Sequence, residues 1–308
     1  MRPADLVLYN DVHAKLQTFK QQTRSLPGIG IVQRESCFIR QIIDSVRRVN
    51  YVKLIAERTN NPIVADPSNI AFDPLKAAAW YNKQGNINEA FWLVFLATHF
   101  SRHHRTKWNL VKDVYSGLTN DVVWNWEAVS GDVNGFKNWL NDNVLALKAR
   151  GKVGNHRKYQ SLGAYNPTGT GAAVSSYIDW IGVDNNHQSL IDRAFLAAGN
   201  DPKLLFKHLY ISMNAVMSFG RMAKFDYLTM VGKLGLLDIE PDSTYMDGAT
   251  GPFTGGRLLF GGNPNRRLLD SYFSELDECL QLPFGMQVIE DAVCNWQKSP
   301  NIYEYFGG

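Results

Sequence analysis

Asp226 is a candidate catalytic carboxylate because of the residues that lie near it on a predicted helix. Met222, Asp226, Thr229 and Lys233 follow one another at i, i+4, i+7 and i+11, which places them on one stripe. Asp226 also stands between a phenylalanine and a tyrosine, and we expect partial burial to raise its pKa. Such a carboxylate can stabilise a developing positive charge or orient an attacking water. The alternative, that Asp226 pairs with Lys233 or caps a neighbouring loop, stays open.

The chain turns just before this stripe. Leu209 and Met213 predict a helix that runs into the turn at Ser218 and Gly220, and a second helix is predicted to start at Arg221. We expect Ser218 to cap the second helix. The positive N-terminal end of that helix and Arg221 would then form an anion site. This helix, glycine turn and helix together predict a hairpin that holds a phosphate backbone.

A glycine-rich segment, GATGPFTGGR, spans residues 248–257. It differs from a nucleotide-binding P-loop because it lacks Gly-Lys-Ser/Thr and a preceding strand. Gly251 would let a phosphate or a base approach the backbone closely, and Arg257 would add a cation. The alternative is a tight connection between two helices.

Two basic segments contain aromatic residues. SRHHRTKWNLVK (101–112) surrounds Trp108 with cations, and KARGKVGNHRKYQ (148–160) contains His156, Arg157, Lys158 and Tyr159. Cations that contact phosphates, interleaved with rings that stack on bases, favour nucleic-acid binding. A solvated charged surface is the alternative.

The last predicted helix has a polar stripe beside its apolar one. Asp291, Asn295 and Lys298 form this stripe and could line a pocket, while Met286 and Trp296 belong to the apolar side. An ordinary surface explains the same spacing equally well.

The string LPGIG (26–30) has the form of a DNA-binding hairpin turn, but its surroundings favour a structural role. The exit helix of such a hairpin should start at once, whereas helical periodicity begins only near Glu35. The acid considered downstream, Asp44, stands among Arg40, Arg47 and Arg48, a pattern that predicts a solvated, ion-paired surface acid. We interpret LPGIG as a helix stop, a Pro-Gly turn and a new helix.

Helices, predicted from the spacing of apolar residues, must position all of these residues. Apolar residues recur at three and four positions in CFIRQIIDSVRRVNYV, in GFKNWLNDNVLALKAR and in MQVIEDAVCNWQK, and residues 72–100 read as two helices separated at Gly85-Asn86. Strand-like alternation is almost absent. The sequence predicts an all-α fold of two packed helical lobes. We expect an N-terminal extension (1–33) and a single catalytic domain (34–308) with lobes 34–200 and 201–308.

Composition excludes several classes of protein. The 308-residue chain carries a net charge of only +3, so attraction to nucleic acid must come from local patches. Its three cysteines are too few and too scattered to indicate a zinc site or a disulfide framework, and no organic cofactor is indicated. The longest apolar stretch, residues 90–100, is too short to span a bilayer, and no signal core is present. We expect a soluble cytoplasmic protein without membrane partners.

Five sequence blocks occur in a recognisable order: GNINEAFWLVFLATHF, GNHRKYQSL, FGRMAKFDYLTMVGKLG, GATGPFTGGRLLFGG and EDAVCNWQKSP. Together they resemble the alpha-glutamyl/putrescinyl thymine pyrophosphorylase family, its third clade most closely, from about Arg34 to the C-terminus. That family is similar to the helix-hairpin-helix DNA glycosylases. The resemblance implies an all-α fold around a basic cleft, a flipped, modified DNA base as substrate, and a match between the Gly220 turn and the family's hairpin. Ser-Phe-Gly-Arg stands here in place of a full Pro-Gly-x-Gly.

These observations lead to a preferred hypothesis of a DNA glycosylase that removes a bulky modified pyrimidine from phage DNA. Asp226 would stabilise the sugar cation or orient water, after the nucleotide flips into a pocket. The residues expected to bind DNA or the base are Gly220, Arg221, Tyr227, Lys233, Gly251, Arg257, His156, Arg157, Lys158, Tyr159, Trp108, Asn295 and Lys298.

Two other hypotheses use the same surfaces. A pyrophosphorylase-type transferase would place an amine or amino acid against an activated methylene on a pyrimidine in DNA. A non-catalytic binder of modified DNA would need the basic segments but not Asp226.

Overall fold

The computed structural model describes residues 2–58, 61–119 and 121–306. Those residues form fourteen α-helices and no β-strand, so the predicted all-α fold is confirmed. None of their helices is both long and apolar enough to cross a membrane. In chain order the helices are α1 (Pro3–Gln22), α2 (Val32–Glu57), α3 (Pro74–Lys83), α4 (Ile87–Phe100), α5 (Asn109–Tyr115), α6 (Trp126–Gly131), α7 (Val133–Arg150), α8 (Thr170–Ile181), α9 (His187–Ala198), α10 (Pro202–Ser212), α11 (Arg221–Lys233), α12 (Gly251–Phe260), α13 (Arg266–Leu280) and α14 (Gly285–Trp296).

The chain divides into two compact units. Unit 1 joins residues 1–51 to residues 241–308, and unit 2 consists of residues 52–240. These bounds differ from the predicted lobes, 34–200 and 201–308, and helix α1 belongs to unit 1 instead of standing apart as an extension. The difference has a physical reason, because periodicity identifies a helix but not the distant segment with which it shares a core.

Helices from both ends of the chain build the core of unit 1. The apolar stripe of α2 that periodicity predicts is buried in full, at Phe38, Ile39, Ile42, Ile43, Val46 and Val49. Helix α1 adds Val12, Leu16 and Phe19, and the C-terminal helices add Leu269, Phe273, Leu276, Ile289, Val293 and Trp296. The ring of Trp296 packs edge-on against Phe38, with ring centroids 5.4 Å apart. Burial of these side chains is the main driving force for bringing the N-terminal and C-terminal helices together.

Asp44, on α2, is not the solvated surface acid that the sequence predicts. Its side chain is only 2% exposed. One carboxylate oxygen accepts a hydrogen bond from Arg47 at 3.1 Å, and the other accepts one from the Tyr303 hydroxyl at 2.6 Å. The predicted ion pairing is therefore confirmed, but the C-terminal segment covers this side of the helix.

The LPGIG string is a packing element of unit 1. Pro27–Ile29 form one 3₁₀ turn, and α2 begins at Val32, earlier than the periodicity near Glu35 indicates. Gly28 is buried, and a Cβ atom at that position would lie 2.0 Å from the carbonyl oxygen of Leu258 on α12. The backbone at Gly28 lies so close to α12 that only a residue without a side chain fits there.

Helix α4 is surrounded on all sides in unit 2. Every residue from Glu89 to Phe100 is buried, as expected for a helix that is hydrophobic all round. It packs against α3, α5, α6, α9 and α11. The predicted break before it is confirmed, because Gly85 adopts φ 77° and the Asn86 side chain accepts a hydrogen bond from the backbone N–H of Glu89.

Replacing Gly28 by Ala should destabilise the protein. The added Cβ would clash with the backbone of Leu258 and Leu259, which no side-chain rotation can relieve. We expect the free energy of unfolding to fall by about 1–3 kcal/mol, measured by urea denaturation. Gly30→Ala in the same turn is the control, since its nearest neighbour would be 3.3 Å away. Equal stability of the two variants would contradict the packing argument.

Candidate functional site

The predicted turn between two helices lies in unit 2. Helix α10 ends at Ser212, a 3₁₀ turn follows at Met213–Ala215, and α11 starts at Arg221 as predicted. Gly220 caps α11 with an extended backbone. The predicted cap, Ser218, is wrong: its hydroxyl donates instead to the carbonyl oxygen of Thr168 at 2.6 Å. Gly220, the residue at the N-cap of α11, has no side chain with which to cap this helix.

One aromatic side chain anchors this turn while its glycine faces outward. Phe219 is buried and stacks on Phe95 of α4, with ring centroids 5.0 Å apart and the rings nearly parallel. It also stacks on His99, 6.1 Å away. Gly220 is exposed, and nothing lies within 4 Å of the place where its Cβ would be. The backbone at Gly220 is therefore open to a ligand.

Asp226 joins two segments that the sequence places far apart. Arg157 Nη2 lies 3.1 Å from one carboxylate oxygen of Asp226, and His156 Nδ1 lies 3.9 Å from the same oxygen. The Asp226 side chain is 34% exposed, the His156 side chain 60% and the Arg157 side chain only 8%. The structure thus brings the basic segment 148–160 to the acid on α11.

The pKa of Asp226 is lowered, contrary to the rise expected from its neighbours in the sequence. Burial by itself raises the pKa of the Asp226 carboxyl, but the nearby His156 and the charges of Arg157 and Lys233 outweigh it. Asp226 is consequently ionised at neutral pH. Because its pKa is lower in the folded than in the unfolded state, it stabilises the fold above the ordinary carboxyl pKa, and this stabilisation disappears as the pH falls through the lowered value.

Arg157 supports Asp226 and is not exposed for DNA. Its Nε donates to the carbonyl oxygen of Thr98 at 3.1 Å, and Nη1 donates to that of His156 at 3.1 Å. With Asp226 on Nη2, the buried guanidinium has an acceptor on each of its three nitrogens. The expected contact between Arg157 and a phosphate is replaced by a contact that fixes the carboxylate.

Tyr227 and Lys233 are both buried, so neither lines an open surface. The Tyr227 hydroxyl lies 2.8 Å from that of Tyr177, which in turn lies 2.8 Å from Nε2 of His187. Lys233 contributes a positive charge that lowers the pKa of Asp226. The sequence predicts that both residues contact DNA or the base, whereas the structure buries their side chains.

Other predicted binding residues of unit 2 lie at its surface. Tyr159 is 89% exposed, and the Lys158 ammonium lies 4.9 Å from the centroid of its ring. Arg221 is partly exposed, with its guanidinium carbon 5.8 Å from the ring of Phe225. Trp108 is half-buried at the start of α5. Cations and rings are therefore present on the segments that carry Asp226 and Arg157.

The segment GATGPFTGGR is mostly helix and not a loop. Helix α12 begins at Gly251, where a Cβ would lie 2.7 Å from the sulfur of Cys294, and a Cβ at Gly255 would lie 2.3 Å from the carbonyl oxygen of Val293. The glycines allow α12 to pack closely on α14. Arg257 donates to the carbonyl oxygen of Pro264 at 3.1 Å. This arrangement contradicts the expectation of an open phosphate-binding loop.

Asn295 and Lys298 also belong to unit 1. The Lys298 ammonium donates to the side-chain oxygen of Asn295 at 2.9 Å and lies 4.6 Å from the ring of Phe306. Gly251, Arg257, Asn295 and Lys298 thus lie in unit 1, whereas Asp226 and the basic segments lie in unit 2.

Comparison with known families adds to this geometry. A family model described as alpha-glutamyl/putrescinyl thymine pyrophosphorylase clade 3 matches residues 33–308. The chain belongs to this family. The resemblance carried by the five sequence blocks is confirmed. No curated protein and no solved structure matches the chain. The alpha-glutamyl/putrescinyl thymine pyrophosphorylase clade is a thymine-modification family, related to the processing of modified bases in DNA.

The site of this thymine pyrophosphorylase family member includes residues that the sequence interpretation missed. Thr98 supplies the carbonyl that holds Arg157, and His99 lies beneath Phe219. The Nε2 atom of His99 lies 3.0 Å from the hydroxyl of Thr170. The position of Thr98 and His99 at the end of the apolar run of α4 was a signal in the sequence for such contacts, because a buried polar residue requires a hydrogen-bond partner.

Replacing Arg157 by Gln should raise the pKa of Asp226. The substitution removes the positive charge 3.1 Å from the carboxylate, so that burial is opposed less strongly. NMR titration of the side-chain carboxyl measures this pKa, and Arg157→Lys, which keeps the charge, should give a smaller rise. Arg150→Gln, which removes the partner of Asp113, should leave Asp226 unchanged. An unaltered Asp226 pKa in Arg157→Gln would contradict the assigned pairing.

Proposed function

We propose that this protein is a DNA glycosylase that removes a modified pyrimidine from phage DNA. The observation that carries the proposal is the ionised, one-third exposed carboxylate of Asp226, held by Arg157 beside the exposed side chain of His156. Membership of a thymine-modification family supports a modified thymine or a related pyrimidine as substrate. No metal or organic cofactor enters this chemistry.

Binding of the DNA backbone would start at the Gly220 turn. The exposed glycine stands at the N-terminus of α11, and a helix N-terminus favours an anion such as a phosphate. Lys158 adds a cation, and the ring of Tyr159 offers a surface on which a base can stack. Flipping the modified nucleotide out of the duplex would then bring its sugar to Asp226.

Asp226 would act on the bond between the sugar and the base. As that bond breaks, its electron pair stays with N1 of the pyrimidine, and positive charge develops on C1′ and O4′ of the sugar. An ionised carboxylate stabilises this charge and accepts a proton from the water that adds to C1′. The products are the free base, which has gained a proton, and an abasic site. The lowered pKa of Asp226 suits the roles of stabiliser and base, and not that of proton donor.

A transferase is the second candidate, because the family is described as a pyrophosphorylase. An amine nitrogen would attack the methylene carbon of an activated hydroxymethyl pyrimidine in DNA. Pyrophosphate would leave with the electron pair of the C–O bond, and Asp226 would accept the proton that the amine loses. Both reactions use the same carboxylate but break different bonds.

Product analysis separates these functions. Purified protein is incubated with phage DNA that carries hydroxymethylated, glucosylated or pyrophosphorylated pyrimidines, with amines present or absent, and with unmodified DNA. Free base and alkali-labile sites support the glycosylase. Release of pyrophosphate with a heavier nucleoside supports the transferase. Tight binding without any product would leave only a binder of modified DNA.

Replacing Asp226 by Asn should reduce product formation roughly 100-fold or more, with DNA affinity nearly unchanged. The substitution keeps the size of the side chain but removes the negative charge that stabilises the sugar cation. Single-turnover kinetics and a binding titration measure the two effects. Asp142→Asn, an exposed acid on α7, is the control for loss of one negative charge. Normal turnover by Asp226→Asn would refute its catalytic role.

Replacing Lys158 by Gln or Tyr159 by Ala should weaken DNA binding without affecting the chemical step. Loss of one phosphate contact should reduce the salt dependence of binding by about one in slope, and loss of the stacking ring should weaken affinity by roughly fivefold or more. Lys137→Gln on α7 and Tyr51→Ala, an exposed tyrosine of α2, are the matched controls. Equal losses in the controls would contradict a specific interface at residues 158 and 159.

A further inference from the structure

A cavity of about 500 Å³ opens in unit 1. Arg2, Arg40, Ile43, Asp44, Arg47 and Tyr303 line it. Three guanidinium groups around one cavity indicate an anionic ligand, provided that the acids nearby are already paired.

The acids of this cavity are paired with arginine and tyrosine. Both carboxylate oxygens of Asp44 accept hydrogen bonds, one from Arg47 and one from Tyr303. Asp5 pairs with Arg2 and with Arg47. Arg47 therefore lies between two carboxylates, and its charge is neutralised. The positive charge of Arg40 remains.

Arg40 has unused hydrogen-bond donors. Its guanidinium carbon lies 3.5 Å from the centroid of the Tyr303 ring, so that the flat group is stacked on the aromatic face. Stacking leaves the N–H groups in the guanidinium plane free to bind an oxyanion in a bidentate manner. Among the described residues, none accepts a hydrogen bond from Arg40.

The aromatic platform beneath Arg40 is fixed in place. The Tyr303 hydroxyl donates to the buried Asp44 at 2.6 Å, and Gln41 Nε2 donates to the carbonyl oxygen of Glu304 at 2.7 Å. Burial, together with the hydrogen bond to Asp44 and its charge, raises the pKa of Tyr303 to about 12, so the hydroxyl stays protonated. Side chains of α2 thus hold the C-terminal segment at two successive residues.

We propose that this cavity binds a phosphate group, with Arg40 as the bidentate ligand and the outer nitrogens of Arg2 as additional donors. Its volume lies within the range of small-molecule sites, which is roughly 300–1,000 Å³, so a whole nucleotide can enter. The phosphate can belong to a free nucleotide, to pyrophosphate or to the backbone of DNA. This proposal is independent of the chemistry at Asp226.

Calorimetric titration of the full chain tests the proposal. The probes are thymidine 5′-monophosphate, inorganic pyrophosphate, a short DNA duplex and thymidine, which lacks a phosphate. We expect at least one phosphate-bearing probe to bind and thymidine not to bind. Arg40→Gln should weaken that binding about tenfold or more. Tyr303→Phe keeps the stacked ring but loses the bond to Asp44, and should weaken binding less.

Arg267→Gln is the matched control, because Arg267 is exposed on α13 and does not line the cavity. Circular dichroism and thermal melting establish that each variant is folded. Binding of the free phosphates that depends on Arg40 assigns the site to a small ligand, whereas such binding of the duplex alone assigns it to DNA. Absence of binding by all phosphate probes, or equal affinity of Arg40→Gln and Arg267→Gln, would overturn the proposal.

Discussion

The ion pair between Arg157 and Asp226 is the interaction on which the candidate site depends. It joins residues 69 positions apart in the chain and fixes an exposed basic segment to a buried helix. A guanidinium buried to this degree requires acceptors, and Thr98, His156 and Asp226 supply them. Removing the Asp226 carboxylate would leave the buried charge of Arg157 uncompensated, which is destabilising. The position and the ionisation of Asp226 therefore share one cause.

The aromatic interior of unit 2 orients the helix that carries Asp226. Phe219, just before α11, packs against α4. Tyr227, in the middle of α11, packs against α8. The histidines of this interior, His99 and His187, have pKa values lowered to about 3, His99 by burial and the nearby charge of Arg157 and His187 by burial. Both are neutral at physiological pH, so the support beneath the Gly220 turn keeps its charge state when the solution pH changes.

Unit 1 has a different construction, in which the two ends of the chain complete one core. The family match begins at residue 33, yet α1 precedes it and buries Val12, Leu16 and Phe19 against the C-terminal helices. The C-terminal segment in turn covers α2 through Tyr303. A buried acid, Asp44, is satisfied only because this segment returns to it. Residues outside the family match are thus part of the folded unit.

The amino-acid sequence was sufficient to predict the all-α fold, the apolar stripes of α2 and α14, the break at Gly85-Asn86 and the family. Helical periodicity and ordered sequence blocks can be read along the chain without knowledge of its folding. Tertiary structure alone decided that Asp226 has a lowered pKa, that Tyr227 is buried and that the glycines of α12 serve close helix packing. A pKa depends on charges brought near through folding, and burial depends on the elements that cover a residue. The partners of Arg157, Asp44 and Gly251 that folding brings near are Asp226, Tyr303 and Cys294. They lie far away in the sequence, so no local sequence pattern can reveal these contacts.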